Sequence, residues 1–318
     1  MSQTHVLVTG ATGFIGRALI PQLIKRTTVS LLLLEEFAGG TELPPPLKHL
    51  RADFDVVYAD LRNYHTTARA LRQANPDQVI HLAGVGSTDP FLNPHTAVSH
   101  NVTGTLNLLK ACFQTDLAIT KLVVARTPGE YSAMNPYAVS KAAAWAFCLM
   151  YARTAGWPIC GAMIYQAYGF GQPEHLLIPA ALRAAMAGED FPMTAGHQEK
   201  DWIYIDDIVE SLIRMLQVKL PFGDTLEIGT GHPTAVREVV QIIYDLVSQG
   251  GKPLFGSLPT RPGEEIRQVA NSNRLNEYLG WRPGISLREG IARLITISQS
   301  RPLIGEDPAH PIEFPIKD

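Results

Sequence analysis

The chain has 318 residues, 46% of them hydrophobic and 18% charged, and a formal net charge of -3. That length can bury a large core, in one compact domain with an appended lobe or in two intimate domains. Lys and Arg are little clustered, which argues against a nucleic-acid surface, and the longest aliphatic stretch, Leu31 to Leu34, is far too short to span a bilayer.

The first apolar run, Val6-Leu7-Val8, begins within a few residues of Met1 with no basic segment, apolar signal core or cleavage site ahead of it. A soluble, cytoplasmic protein is expected. Directly after this run comes Thr9-Gly10-Ala11-Thr12-Gly13-Phe14-Ile15-Gly16. Gly10 lets the chain turn sharply off the strand, Gly13 lets backbone N–H groups approach a pyrophosphate, and Gly16 lets the following helix pack on the sheet. The spacing is Gly-x-x-Gly-x-x-Gly and not the commonest dinucleotide fingerprint, so the triplet alone is equally an ordinary glycine turn. Its surroundings favour a dinucleotide. A helix apolar on one face is predicted over Arg17 to Lys25, and a second apolar run, Val29 to Leu34, ends in Glu35 about 20 residues on. A carboxylate there accepts hydrogen bonds from the adenosine ribose and repels a 2'-phosphate, which selects NAD over NADP. Glu36 could take its place, and a solvated strand end is the plain alternative.

Further runs follow at Val56 to Tyr58, Val79 to Leu82, Lys121 to Val124 and Ile159 to Tyr165. Fully apolar strands alternating with amphipathic helices predict an α/β, doubly wound (Rossmann-like) parallel sheet covered on both faces. Cys112, Cys148 and Cys160 lie in apolar helix or strand contexts without metal-ligand spacing and read as inert core thiols in a reducing compartment, with no metal expected.

Pro136 and the stretch Ala138 to Ala155, ended by Gly156, predict a long helix. On it Tyr137 and Lys141 share one face. A free tyrosine titrates near pH ~10. A neighbouring cation, aided by a positive nicotinamide ring, favours the phenolate and makes it a usable base at neutral pH. A Tyr-x-x-x-Lys also arises by chance from residue frequencies; its place after the fifth strand argues for function. Beyond about residue 165 the rhythm breaks at Gly169, Gly171, Pro173 and Pro179, followed by a helix near Pro179 to Ala187, a strand at Thr225 to Ile228, a helix at Val236 to Val247 and an irregular tail from Arg301. The expected division is an NAD-binding domain of residues 1–165 with contributions from about 201–240, and a smaller substrate-binding lobe of 166–200 and 241–318.

In order along the chain, these motifs resemble the extended short-chain dehydrogenase/reductases, particularly the NAD-dependent nucleotide-sugar epimerase/dehydratase group. The resemblance includes Asp60-Leu61, His81-Leu82-Ala83-Gly84, Asn101 to Thr105, the block Lys200-Asp201-Trp202-Ile203-Tyr204-Ile205-Asp206-Asp207, Leu226 to Gly231, Arg261-Pro262-Gly263-Glu264 and Leu279 to Pro283. It implies that Gly10, Thr12, Gly13, Phe14, Ile15, Gly16 and Glu35 hold NAD and that Asp60 and Leu61 hold its adenine. Leu82, Ala83, Gly84 and Asn101 would line the pyrophosphate and nicotinamide ribose. Thr127, Tyr137 and Lys141 would be catalytic, the last two also touching the cofactor, while Gln166, Lys200, Arg261 and Glu264 would face a nucleoside-diphosphate sugar.

Several positions depart from the pattern. Ala125-Arg126-Thr127-Pro128-Gly129 replaces the usual Ser-Ser/Thr-x-x-Val-Tyr-Gly, and the loop to Tyr137 is shortened. The family's dehydratases carry Asp-Glu directly after the catalytic threonine, where this chain has Pro128 and Gly129, so a standard 4,6-dehydratase is not expected. Met163 and Gln166 stand where arginine and asparagine are common, and Lys200 keeps the charge of the usual arginine but loses its fork. The leading expectation is an NAD-dependent epimerase acting at C4 through a transient keto sugar. A reductase or dehydrogenase of a keto sugar or other alcohol is the alternative among enzymes, and a non-catalytic cofactor-binding regulatory protein the alternative outside them. The resemblance also suggests a homodimer through the helix carrying Tyr137, where Ala142, Ala143, Ala146 and Leu149 form an apolar stripe that ordinary core packing explains equally well.

Overall fold

The computed structural model describes residues 3–89, 91–259 and 265–300. In chain order the first half contains β1 (His5–Thr9), α1 (Phe14–Leu23), β2 (Thr28–Leu33), α2 (Pro45–Lys48), β3 (Asp55–Tyr58), α3 (Tyr64–Ala74), β4 (Gln78–His81), α4 (Pro94–Ala97), α5 (Gly104–Phe113), β5 (Lys121–Arg126), α6 (Pro136–Thr154) and β6 (Ile159–Ile164). The second half contains β7 (Gln166–Tyr168), α7 (Leu177–Met186), β8 (Phe191–Met193), β9 (Glu199–Tyr204), α8 (Ile205–Gln217), β10 (Thr225–Ile228), β11 (Pro233–Ala235), α9 (Val236–Val247), β12 (Pro253–Phe255), β13 (Arg267–Gln268), α10 (Asn273–Leu279) and α11 (Leu287–Ser300).

A seven-stranded sheet runs β10-β6-β5-β4-β1-β2-β3, with every pairing parallel. Its strands are apolar throughout because both faces are covered. One face packs on α3, α5 and α6 through Leu71, Leu108, Leu109 and Trp145. The other packs on α1 and α8 through Leu19, Ile20, Ile208 and Leu212, and this core continues through α7, α9, α10 and α11. The order reverses direction between β1 and β4. At such a reversal the crossover connections diverge and open a crevice at the carboxyl ends of the strands.

Two predicted boundaries move. The first helix starts at Phe14 and not at Arg17, because Gly13 is already its extended N-cap (φ -74, ψ 175) and Gly16 lies within its first turn. The strand expected over Ile159 to Tyr165 ends one residue early: β6 stops at Ile164, and the next strand, β7, leaves the main sheet to pair with β9, Gln166 opposite Trp202 and Tyr168 opposite Tyr204. Local apolarity could not reveal β7, which is three residues long and begins with the exposed Gln166. The segment from Arg301 lies outside the described residues.

A second, four-stranded sheet is built around β9, which pairs with β11, β13 and β7, beside the separate pair β8 and β12. Asp201 on β9 is fully buried. Its carboxylate accepts the N–H and hydroxyl of Thr230 at 2.8 and 2.7 Å, the N–H of Gly231 at 2.8 Å and that of Ala270 at 3.1 Å. One side chain thus ties this smaller sheet to the end of β10 in the main sheet. Asp207 does similar work at the start of α8, accepting the N–H groups of Gly284 and Ile285, each at 3.0 Å. The three cysteines are buried, and burial pushes the Cys148 and Cys160 thiols up to about 12. Among the described residues no helix is long and apolar enough to cross a membrane.

Asp201→Asn keeps the shape but places an amide N–H₂ against backbone N–H donors. A loss of roughly 2–4 kcal/mol is expected in denaturant unfolding; an unchanged midpoint would show that Asp201 does not join the two sheets.

Candidate active site

A cleft of about 270 Å³ opens at the β1/β4 reversal. Gly10, Thr12 and Gly13 line it from the first turn, Asp60, Leu61 and Arg62 from the end of β3, and Leu82, Ala83 and Gly84 from the end of β4. Gly10 has φ +71, and a Cβ there would lie 2.5 Å from the Ala83 nitrogen; a Cβ on Gly16 would lie 2.4 Å from the Gly10 carbonyl oxygen. Only glycine permits this approach. No side chain caps α1, so the amides of its first turn, at Phe14, Ile15 and Gly16, remain available to an anion. A bare backbone cradle at a helix N-terminus fits a dinucleotide diphosphate.

Asp60 is gripped by Arg62, whose Nε and Nη2 reach Oδ2 at 2.8 and 2.5 Å. That hydrogen bonding holds the carboxyl below its usual range. Arg62 escaped the sequence reading, although it directly follows the Asp60-Leu61 pair. Glu35 begins a single turn, Glu35–Phe37, with its side chain 62% exposed and 3.7 Å from Arg69. Leu34 and Phe37 line the cleft, and Glu35 stands outside the lining.

Asn101 is also absent from the lining; its amide is used within the protein. Its Oδ1 accepts the Val85 N–H at 2.9 Å, and its Nδ2 donates to the Val85 carbonyl at 3.0 Å and the Ser140 Oγ at 2.9 Å. It belongs to a buried chain of hydrogen bonds. The Ala83 N–H reaches the Thr9 Oγ1 at 3.2 Å, which lies 2.7 Å from the His81 Nδ1; the His81 Nε2 lies 2.9 Å from the Thr105 Oγ1, which donates to the Asn101 carbonyl at 2.7 Å. Ser140 continues it to the Tyr137 carbonyl at 2.8 Å. Because the Thr105 hydroxyl proton is committed to a carbonyl, His81 donates from Nε2. Burial first, then the charge of Lys141, push it down to about 3. The ring is therefore neutral, and its Nδ1 accepts from the Thr9 hydroxyl.

Tyr137 and Lys141 lie one turn apart on α6, whose N-terminus is set by Pro136 and by Asn135 accepting the Ala138 N–H at 2.9 Å. Thr127 directly follows β5 and caps the single turn Pro128–Glu130, its Oγ1 accepting the Gly129 N–H at 3.3 Å. A Cβ on Gly129 would sit 3.5 Å from the Ala138 Cβ and 3.6 Å from the Thr127 Oγ1, so the turn rests on the start of α6 beside Tyr137. Lys141 is buried. The electrostatics differ from the sequence expectation. Burial, with the Glu130 charge adding to it, pushes the Tyr137 phenol up to about 12, while burial lowers Lys141 against the pull of Glu130. Desolvation and the Glu130 charge act in the same direction, and the protein's own groups hold the phenol protonated.

Of the residues expected to face a sugar nucleotide, Gln166 lies exposed on β7 and Lys200 on the adjacent β9. The Lys200 Nζ donates to the Gln268 Oε1 at 3.0 Å and the Glu265 carbonyl at 3.4 Å. Met163 is fully buried. Arg261 and Glu264 lie outside the described residues. A second cavity, about 330 Å³, lies between α1, the turn after β7, α7 and α11, and holds none of the sequence-predicted site residues.

The sequence profile described as NAD dependent epimerase/dehydratase family matches residues 6–229. The dTDP-glucose 4,6-dehydratase of Xanthomonas campestris pv. campestris (strain B100) is 30% identical, over 90% of this chain and 90% of its own. An uncharacterized UDP-glucose epimerase of Bacillus subtilis is 26% identical, over 93% of this chain and 98% of its own. Among solved structures, the UDP-glucose 4-epimerase of Thermus thermophilus in complex with NAD superposes with a TM-score of 0.79 at 26% identity, covering 94% of this chain and 100% of that one. Thermotoga maritima UDP-glucose 4-epimerase with UDP-glucose shares the fold, with a TM-score of 0.82 at 20% identity, covering 93% and 99%.

Protonating His81 breaks the hydrogen-bond chain. Its folded value lies below the unfolded one, so its contribution is present above pH ~6.5 and is lost as pH falls toward the folded value of about 3. Roughly 2 kcal/mol should disappear between pH ~7 and ~5. Denaturant unfolding at both values, against His81→Gln, checks this; an equal pH slope in the variant would remove His81 as the cause.

Proposed function

The chain belongs to the NAD dependent epimerase/dehydratase family, and from that premise we propose that it epimerises a nucleoside-diphosphate sugar at C4 through a transient keto sugar. It is an enzyme, and NAD is its cofactor. The single observation that carries the choice of epimerase is the turn after Thr127. Pro128 and Gly129 bring no carboxylate, and Glu130 is buried with a side chain 2% exposed and paired to Arg126 at 2.6 Å. Loss of water from a sugar needs an acid and a base at neighbouring carbons, whereas inversion needs one proton acceptor and a reversible hydride acceptor. This turn suits inversion.

NAD supplies, when bound, that reversible hydride acceptor. Tyr137 takes the proton of the sugar hydroxyl and later returns it. The Thr127 hydroxyl accepts from Gly129 and keeps its own proton to donate to the sugar oxygen. Lys141 holds a buried positive charge one helical turn from the phenol and favours its ionised form. With burial holding the phenol near 12, the further push toward ionisation comes from the positive cofactor ring. Residues 1–165 with about 201–240 hold the cofactor in this reading, and 166–200 with 241–318 hold the sugar nucleotide, Lys200 placing charge near its phosphates and Gln166 offering an amide.

Purified protein incubated with UDP-glucose, UDP-galactose, UDP-glucuronate and dTDP-glucose and followed by NMR should invert C4 of one of them without net change in NAD. Tyr137→Phe should lower turnover by roughly 100- to 10,000-fold. Formation of a 4-keto-6-deoxy sugar would replace epimerase by dehydratase.

A homodimer through α6 forms part of this proposal. Ala142, Ala143 and Leu149 are half-buried and Ala146 is exposed. Along the same helix Val139, Phe147 and Met150 are 49%, 39% and 41% exposed. With Ala143 and Ala146 they fall at helical spacing on one face. Sedimentation should give twice the chain mass, and Phe147→Glu should halve it; a monomeric wild-type protein would refute the pairing.

A further inference from the structure

We infer that the buried pair Arg126 and Glu130 is a positioning device for the reaction proposed above, locking Thr127 against the helix of Tyr137 and Lys141 and supplying the fixed negative charge of that site. The inference rests on that functional reading.

The geometry is closed on every side. Arg126 Nε and Nη2 donate to one Glu130 oxygen, Oε2, at 2.9 and 2.6 Å, while Nη1 donates to the Thr225 Oγ1 at 2.8 Å. The guanidinium lies 4.4 Å from the Trp145 ring centroid, one turn past Lys141 on α6. Space for it comes from Gly161 on β6, where a Cβ would lie 2.5 Å from the Thr225 Oγ1, 2.8 Å from the Arg126 Cδ and 3.0 Å from Trp145. The other Glu130 oxygen, Oε1, accepts the Thr127 N–H at 3.1 Å. Thr127 therefore cannot swing away from α6 without breaking the ion pair.

Side-chain exposures of 11% and 2% make this the most deeply buried of the described ion pairs. Such a pair is weak evidence for stability, because an apolar replacement of similar volume often does as well or better. Its position directly beside Thr127 gives it another use.

Glu130 acts on both Tyr137 and Lys141, raising each. The other groups facing this site are Arg126 on β5 and Cys148 on α6, which act on Lys141, and His81 on β4, which feels Lys141 and is neutral. Tyr131 follows the turn and is exposed, and His100, on the segment packed against α6, acts on Asp60. The Glu130 carboxylate thus opposes the lowering of Lys141 by burial and makes the phenol harder to ionise. Its removal should move both the acidic and the alkaline limb of the pH–rate profile to lower pH, by about one unit for a charge at this range.

The test uses the NAD-loaded protein. Glu130→Gln keeps an acceptor for Thr127 but leaves Arg126 without its counter-charge, so the decisive variant is the double Arg126→Met/Glu130→Gln, which removes both charges and preserves volume. The acidic limb of its kcat profile should move down by about one pH unit, while loss of Arg126, whose charge lowers Lys141, offsets part of the shift of the alkaline limb. The Tyr137 ionisation midpoint, read from phenolate absorbance against a Tyr137→Phe background, should fall by a similar amount. Arg126→Met/Glu130→Ala also removes the Thr127 acceptor and should lower kcat roughly tenfold further with KM little changed. An unmoved midpoint in a folded, NAD-binding double variant overturns the inference. The absorbance titration needs no sugar, so it decides the matter even if no epimerisation is found.

Discussion

Everything at this site depends on a chain of buried hydrogen bonds crossing the point where the strand order reverses. From the Ala83 N–H it passes through Thr9, His81, Thr105, Asn101 and Ser140 to the carbonyl of Tyr137. It crosses from β1 to β4, then to α5 and α6, so the backbone cradle beside Gly10 and the helix carrying the tyrosine are set by one connected network. Thr9, His81, Thr105, Asn101 and Ser140 are deeply buried, where an unmet donor or acceptor is costly. Burial therefore makes the relative position of cleft and tyrosine a condition of folding. A neutral His81 is the necessary link, since only that form donates at one end and accepts at the other.

The same burial sets the electrostatics. Water is excluded from the Lys141 side chain, which lowers its affinity for a proton, and from the Tyr137 phenol, which raises its own. Both shifts favour the uncharged forms. A site that works by charge then needs an anion inside the protein to hold the ammonium and a cation from the cofactor to draw the proton off the phenol. The two requirements pull on the tyrosine in opposite directions, and Glu130, held by Arg126 at 2.6 Å, is the part of that balance the chain itself fixes.

The main sheet was legible because each of its strands is an uninterrupted apolar run between helices, a pattern that parallel sheets covered on both faces produce almost without exception. The cradle was legible because close backbone approach admits only glycine, as the 2.5 Å distance at Gly10 and the 2.4 Å distance at Gly16 show. Other residues were legible as positions and not as contacts. Asn101 stood out as a polar residue opening a helix, but its partners, Val85 and Ser140, are distant in sequence. The pairing of β7 left no signal, because a three-residue strand with one exposed and one buried end does not disclose which strand it joins. Asp201 carried a motif without disclosing that its carboxylate gathers N–H groups from two remote loops. Such roles depend on which chain ends meet, and local composition does not encode that.

Arg126 and Glu130 are the sharpest case. In the sequence Arg126 reads only as part of a departure at the end of a strand, and Glu130, one position beyond Gly129, carries no motif. Their meaning comes from Gly161, on the next strand of the sheet, which leaves the hole that the guanidinium fills beside Trp145. A charge ending a buried strand is tolerable only where a partner, a stacking surface and a void coincide. Here the three coincide next to Thr127, so the residue that removes a free carboxylate from the site is also the one that holds its hydroxyl in place. In the proposed reaction, a turn built this way gives up acid–base reach toward a second carbon and gains a fixed donor at the first, as inversion of one centre requires.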